Sequence, residues 1–371
     1  MKDSPFEKAL ALKKIYENLK LDKQAQEQHK KMDAAIAESS ENEVWFWVKK
    51  LQVSHESFFD LNAKKITLKG RKIRTVLSDL DNFYALAKMK YACEVYNRAQ
   101  IINEPPEPIQ HLNNILSKNW QSTSLSHYLY QICLQLIQTR EDSYYYELKK
   151  IITEQKNNIN QDFHILITYL INHTAYHIKK GNQAFGREAF ELFKYKVEDN
   201  TLLVNGFFDI NHFVNMVDLS SALGEFEWCE KFINQNQDKL KEGTRALVLE
   251  FCFAIFHFWK KDFDETLNLL NKNFRENIFF DIKARLIRLA CKYELGENIE
   301  HILSECNATD IYARRNLTAH LSLRTATLSF INIFKKIISF QPNKERILIQ
   351  LDEAKFILYK SWLIKKIEKL N

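Results

Sequence analysis

Leu223-Gly224-Glu225-Phe226-Glu227-Trp228-Cys229-Glu230-Lys231-Phe232-Ile233 reads as a helix end, a tight turn and the start of a second helix. Gly224 can take the left-handed backbone conformation that closes a helix. Phe226, Cys229 and Ile233 then fall at steps of three and four, which puts them on one helix face. The pattern recurs. Trp259 to Leu270 holds Phe263, Thr266 and Leu270 at the same steps, Leu295 to Leu303 carries Gly296, and Lys180-Gly181 leads to Phe185, Ala189 and Phe193. Phe226 and Phe263 are 37 positions apart, and Gly224 and Gly296 are 72 apart, two units of 36. Recurrence at this period predicts antiparallel helix pairs stacked in series.

Working outward, composition supports the same class. The 371 residues contain only 7 glycines and 5 prolines, against a usual share of about 12% for the two together. A strand-rich chain needs turn residues often, so the expectation is all-α. Aromatic residues make up 13% of the chain, with 26 Phe and 15 Tyr, which implies a large core rather than disorder.

The glycine, the aromatic and the small residue three positions on, across residues 160–306, resemble the turn and second helix of a tetratricopeptide repeat. The period here is longer and irregular, and the family's first-helix tryptophan and closing proline are missing. The likeness therefore implies a TPR-like helical repeat and no closer membership. The order of elements, through Leu80-Asp81-Asn82-Phe83-Tyr84, Lys88-Met89-Lys90-Tyr91-Ala92-Cys93-Glu94 and Trp362-Leu363-Ile364-Lys365-Lys366, also resembles an all-helical bacterial family without an assigned activity. That resemblance implies a fold and no chemistry. The expected architecture is an α-α superhelix, a solenoid of stacked antiparallel pairs, with a C-terminal capping helix.

Three regions are expected. Residues 1–103 form an N-terminal helical region, with one strong helix over 71–102 in which Val76, Leu80, Phe83, Ala87, Tyr91 and Val95 step by three or four. Glu104-Pro105-Pro106-Glu107-Pro108 then breaks the chain. Residues 109–306 carry the repeats. Residues 307–371 form a basic end, expected as one long helix over 311–340 and a final capping helix with Ile347, Leu351, Ala354, Leu358 and Trp362 on one side. Trp45-Phe46-Trp47 cannot share one helix face, so at least one of the three must meet a neighbouring element or a partner.

The net charge is +6. Residues 308–371 hold 12 Lys/Arg against 5 Asp/Glu, and Lys64, Lys65, Lys69, Arg71, Lys72 and Arg74 form a second basic cluster. Such clusters can meet nucleic acid or an acidic partner, although a solvated helix face is the plainer reading. The six cysteines are dispersed, without C-x-x-C pairs, and read as reduced core residues of a cytoplasmic protein. No apolar run approaches a membrane span.

Two motifs could carry chemistry. Arg315-Asn316-Leu317-Thr318-Ala319-His320 matches the arginine–polar–x-x-x–histidine motif of HEPN ribonucleases. That resemblance would make Arg315 a phosphate-binding group and His320 a proton-transfer group. Residues five apart, however, lie about 140° apart around a helix, and a basic, solvent-facing helix start is the plainer reading. His173-Thr174-Ala175-Tyr176-His177 spaces two imidazoles one turn apart, with no third ligand evident in the sequence. No catalytic group, cofactor or metal is therefore expected. The expected function is a non-enzymatic scaffold or adaptor that binds a protein or peptide in a helical-repeat groove. An RNA-binding or HEPN-like role of the basic C-terminal region is the alternative.

Overall fold

In the computed structural model, residues 4–38, 44–59, 66–102, 104–120, 124–156, 160–180, 182, 184–271, 274–275, 277–354 and 356–370 are described. The described chain is all-α apart from one tiny hairpin. It divides into two packed units, residues 1–173 and 174–371, with the division inside one helix. None of the described helices is long and apolar enough to cross a membrane.

The first unit holds α1 (Pro5–Asn18), α2 (Asp22–Ala37), α3 (Val44–Phe59), α4 (Ile66–Ile102), α5 (Leu112–Leu116), α6 (Leu125–Thr139), α7 (Asp142–Glu154) and most of α8 (Asn160–Lys179). The polar N-terminal segment is two helices. Ser4 and Glu7 form a capping box that starts α1, and Lys20, with φ 57, turns the chain into α2. α4 is the hub, packed against α3, α5 and α6. Its buried side is made of Ala85, Leu86, Met89, Ala92, Cys93, Asn97 and Ala99. Hydrogen bonds tie it to α8, through Asn172 to Asn97 at 2.9 Å and Tyr169 to Glu94 at 3.1 Å. The helix predicted over 71–102 is present, but the apolar stripe that revealed it does not face the core. Leu80, Tyr91 and Val95 are exposed, because the small residues on the other side let the neighbouring helices approach closely. In α3, Phe46 and Trp47 are buried and Trp45 is exposed. The proline-rich run 104–108 lies within this unit, as a loop between α4 and α5.

The second unit continues with α9 (Ala184–Glu198), the hairpin β1 (Leu203–Val204) and β2 (Phe207–Phe208), α10 (Ile210–Ala222), α11 (Phe226–Asn236), α12 (Glu242–Lys260), α13 (Phe263–Leu270), α14 (Ile278–Glu294), α15 (Ile299–Asn316), α16 (Leu321–Ile337), α17 (Lys344–Glu353) and α18 (Lys360–Ile367). Asn205 and Gly206 both have positive φ and close the two-residue hairpin turn. The repeated turn is visible at atomic level. Gly224 (φ +81) separates α10 from α11, and Gly296 (φ +74) separates α14 from α15. Between α12 and α13 the left-handed position is taken by Lys261, with φ 66. Gly181 lies outside the described residues. After the turns at Gly224, Lys261 and Gly296 the second helix buries matching positions, Cys229 and Ile233, Thr266 and Leu270, Ile302 and Cys306, while the leading Phe226 and Phe263 are half-buried. α12 is apolar on two faces and packs on α10, α11, α13 and α14.

The basic end departs from expectation twice. The long helix over 311–340 is broken at 317–320, where Leu317 is fully buried with Ile282 and Ala313. Asn316 Nδ2 donates to the Tyr312 carbonyl at 2.9 Å and closes α15 without glycine or proline. The final helix is also two pieces: α17 ends at Glu353, where Ala354 is extended, and α18 starts after Tyr359, whose φ is 51. Both pieces are anchored. Ile347, Leu351, Trp362, Leu363 and Ile367 are buried in the core of the unit. The Trp362 ring lies 5.6 Å from Phe334 and 6.1 Å from Phe330. Its Nε1 donates to Glu294 Oε1 at 2.9 Å, a carboxylate also paired with Lys366.

Removing this indole leaves a large cavity and strips Glu294 of a donor. Trp362→Ala is expected to cost about 3–5 kcal/mol, and deletion of residues 343–371 more. Thermal melts of the full chain, the variant and the truncation measure this; an unchanged midpoint in the truncation would refute the capping role.

Candidate functional site

One exposed apolar feature is the outer stripe of α4. Ile73, Leu77, Leu80, Tyr84, Tyr91, Val95 and Ile102 all project into solvent, with Leu77 54% and Tyr91 69% exposed. Spacings of three and four keep them in one band along the helix. Lys88 interrupts the band, with its Nζ 3.2 Å from the Tyr84 hydroxyl and 5.2 Å from the ring centroid. Asp81 and Arg98 lie along its margin, and Arg98 donates to Glu94 at 2.6 Å. A contiguous, charge-rimmed apolar band on a folded surface is chemically suited to another apolar surface.

Beneath α4 lies a buried aromatic corner that the sequence pattern did not reveal. His127 of α6 is fully buried, stacked on Trp120 at 4.5 Å and edge-on to Trp47 at 5.5 Å. Its Nε2 donates to the Asn82 carbonyl at 2.8 Å, which fixes the neutral tautomer with an unprotonated Nδ1. Burial pushes the His127 pKa below its ordinary 6.5, partly opposed by that hydrogen bond. On the same α4 surface Asp79 is buried, 3.8 Å from Lys50, whose ammonium sits 4.7 Å over the Trp47 ring. This corner packs α3, α4 and α6 together; no sequence motif marks it because its members come from four separate segments.

For the histidine pair, the structure supplies a third donor that spacing could not show. Asp142, at the first turn of α7, lies with its Oδ1 3.0 Å from His173 Nε2. His177 follows one turn later on α8, and one donor atom from each residue falls within 4.8 Å of the others. Two imidazoles and a carboxylate are a chemically competent set for a divalent transition metal. The same side chains also have ordinary structural roles. His173 is buried and stacked on Tyr145, and His177 stacks on Phe185 at 4.1 Å.

Arg315 and His320 are not brought onto one helix. Arg315 ends α15, His320 precedes α16, and both are exposed, with the His320 ring edge-on to Phe279 at 5.1 Å. Some cations of the basic clusters make internal contacts, while Arg315, Arg346, Lys365 and Lys369 are exposed. Lys72 donates to the Ser57 carbonyl at 2.8 Å and Arg74 to the Gly70 carbonyl at 3.2 Å. The side chains of Lys64, Lys65, Lys69 and Arg71 lie outside the described residues. Lys344 binds the carbonyls of Glu368 and Leu370, Lys335 binds Asn307, and Lys366 pairs with Glu294. These cations hold the C-terminal helices in place.

No protein-family model, curated protein or solved structure matches this chain.

The neutral, buried His127 links stability to pH. Its contribution is complete above the unfolded value near 6.5 and is lost as pH falls through the lower folded value, because the unfolded state binds the proton first. Its share of the slope is at most about 1.4 kcal/mol per pH unit. Melts between pH 7.5 and 5 should show this loss, and His127→Gln should flatten it; an equal slope in the variant would refute the assignment. Chelation with EDTA should leave the midpoint in place if Asp142, His173 and His177 serve structure alone. A fall of several degrees would assign them to a metal.

Proposed function

We propose that this chain is a non-enzymatic, cytoplasmic protein-interaction scaffold of the TPR-like helical-repeat kind. The observation that carries the reading is the outer stripe of α4, where seven large apolar side chains occupy one exposed band. An exposed apolar stripe gives little to the fold and costs solubility, so it is best explained by a surface that covers it. The repeat arrangement is supported by the second unit. There α10 to α16 each pack on the next helix or the next but one, and the left-handed turns recur at Gly224, Lys261 and Gly296. Such a stack builds extended surface from units that rest only on their neighbours.

The test is a pair of charges placed in the band. Leu77→Glu with Tyr91→Glu should change stability little, since exposed substitutions usually stay within about 0.5 kcal/mol. It should also abolish association in the native host, read by crosslinking and mass spectrometry against the unsubstituted chain. An unchanged set of crosslinked proteins would overturn the reading.

A further inference from the structure

The band on α4 has a symmetry that narrows what can cover it. Its central positions are Ile73, Leu77, Leu80, Tyr84, Lys88, Tyr91 and Val95, with Ile102 lying beyond them at the helix end. The steps are four, three, four on one side of Tyr84 and four, three, four on the other. Tyr84 is also the midpoint of α4, which runs from Ile66 to Ile102. A two-fold interface uses the same patch on both subunits, so each position must find its mirror position on the other copy.

Resting on the interaction reading above, we propose that the partner is a second copy of this chain, its α4 laid antiparallel against the first about a two-fold axis at Tyr84. In that register Ile73 faces Val95 of the second copy, Leu77 faces Tyr91, and the two Tyr84 rings meet at the axis. The paired helices overlap over their full length of 37 residues, about 55 Å at 1.5 Å per residue.

Charge agrees with the register. The single cation in the band, Lys88, falls opposite Leu80 of the second copy and one position from its Asp81. Asp81 is exposed at the band's margin. Symmetry makes this contact twice. A parallel pairing instead sets Lys88 beside Lys88 and Asp81 beside Asp81, which like-charge repulsion opposes. One polar residue within an otherwise apolar seam commonly fixes orientation and register, at some cost in affinity. Lys88 already leans over the Tyr84 ring, so its ammonium lies next to the position of the axis.

The experiment uses the full chain. Sedimentation velocity over a concentration series up to about 100 μM, where weak specific interfaces still assemble, should show a monomer–dimer equilibrium. Asp81→Lys or Lys88→Asp alone should weaken it about tenfold, and the two together should restore it. Single cysteines locate the axis, because the six native cysteines are all buried. Under mild oxidation Tyr84→Cys should give a covalent dimer. Val95→Cys alone should not, whereas Ile73→Cys combined with Val95→Cys should. A chain that stays monomeric throughout, or that crosslinks as fast at position 95 as at 84, overturns the proposal. If the monomeric chain still loses a different protein when Leu77 and Tyr91 are charged, the self-pairing fails while the scaffold reading stands. If those charges change no association, both fail.

Discussion

Every helix has to end, and this chain carries few of the residues that end helices at low cost. Only 7 glycines serve 371 residues, so most closures fall to other side chains. Lys20, Arg140 and Lys261, at the ends of α1, α6 and α12, all hold positive φ, a conformation that costs an L-residue about 1–2 kcal/mol. Starts are handled more cheaply. Asp209, Asp262, Asn277, Asn298 and Asn343 each accept a hydrogen bond from a backbone N–H in the first turn of the helix they precede. The strained turns persist because the helices they join bury large apolar surface against one another. Turn geometry in this molecule is therefore imposed by packing, and the residue at the turn tolerates it.

This explains which parts of the fold could be read in advance. Where a glycine does close a helix, as at Gly224 and Gly296, the turn and the following buried positions were legible from spacing. The turn at Lys261 was legible too, from the steps of Phe263, Thr266 and Leu270, but breaks outside the repeated pattern were not. Leu317 breaks what looked like one long helix because its side chain fills a pocket with Ile282 and Ala313, and nothing in its neighbours' sequence announces that. The expected last helix likewise stops early, at Ala354, whose backbone is extended. The histidine pair shows a further limit. The spacing of His173 and His177 was evident, but Asp142 stands 31 positions away and reaches His173 only through the packing of α7 on α8. His127 had no motif at all; its aromatic surroundings arise from the packing of separate segments.

Charge counting did not show how some of the C-terminal cations are used. The excess of cations in residues 308–371 suggested a patch available to polyanions. Lys344 instead closes the carbonyls of Glu368 and Leu370, Lys360 reaches the Lys180 carbonyl, and Lys366 shares Glu294 with Trp362. Long lysine stems bury their methylenes along the apolar core while the ammonium finds an acceptor at its edge. A basic composition can thus be a way of fastening terminal helices.

α4 and α18 pose one problem with two outcomes. Both carry apolar stripes at helical spacing. The stripe of α18 lies against Tyr293, Phe330 and Phe334 of its own unit. α4 has two apolar sides, and only one is covered. Its alanine-rich side takes the close contacts of α3 and α6, because small residues let backbones approach. Ile73, Leu77, Leu80, Tyr84, Tyr91 and Val95 are turned outward. Periodicity identified the helix correctly from the larger residues, since a regular step survives whichever face is buried. It could not say which face the fold would use. The consequence is a division of labour: changing α18's stripe alters the fold, whereas α4's outer stripe lies outside the core and can be altered without unfolding the unit.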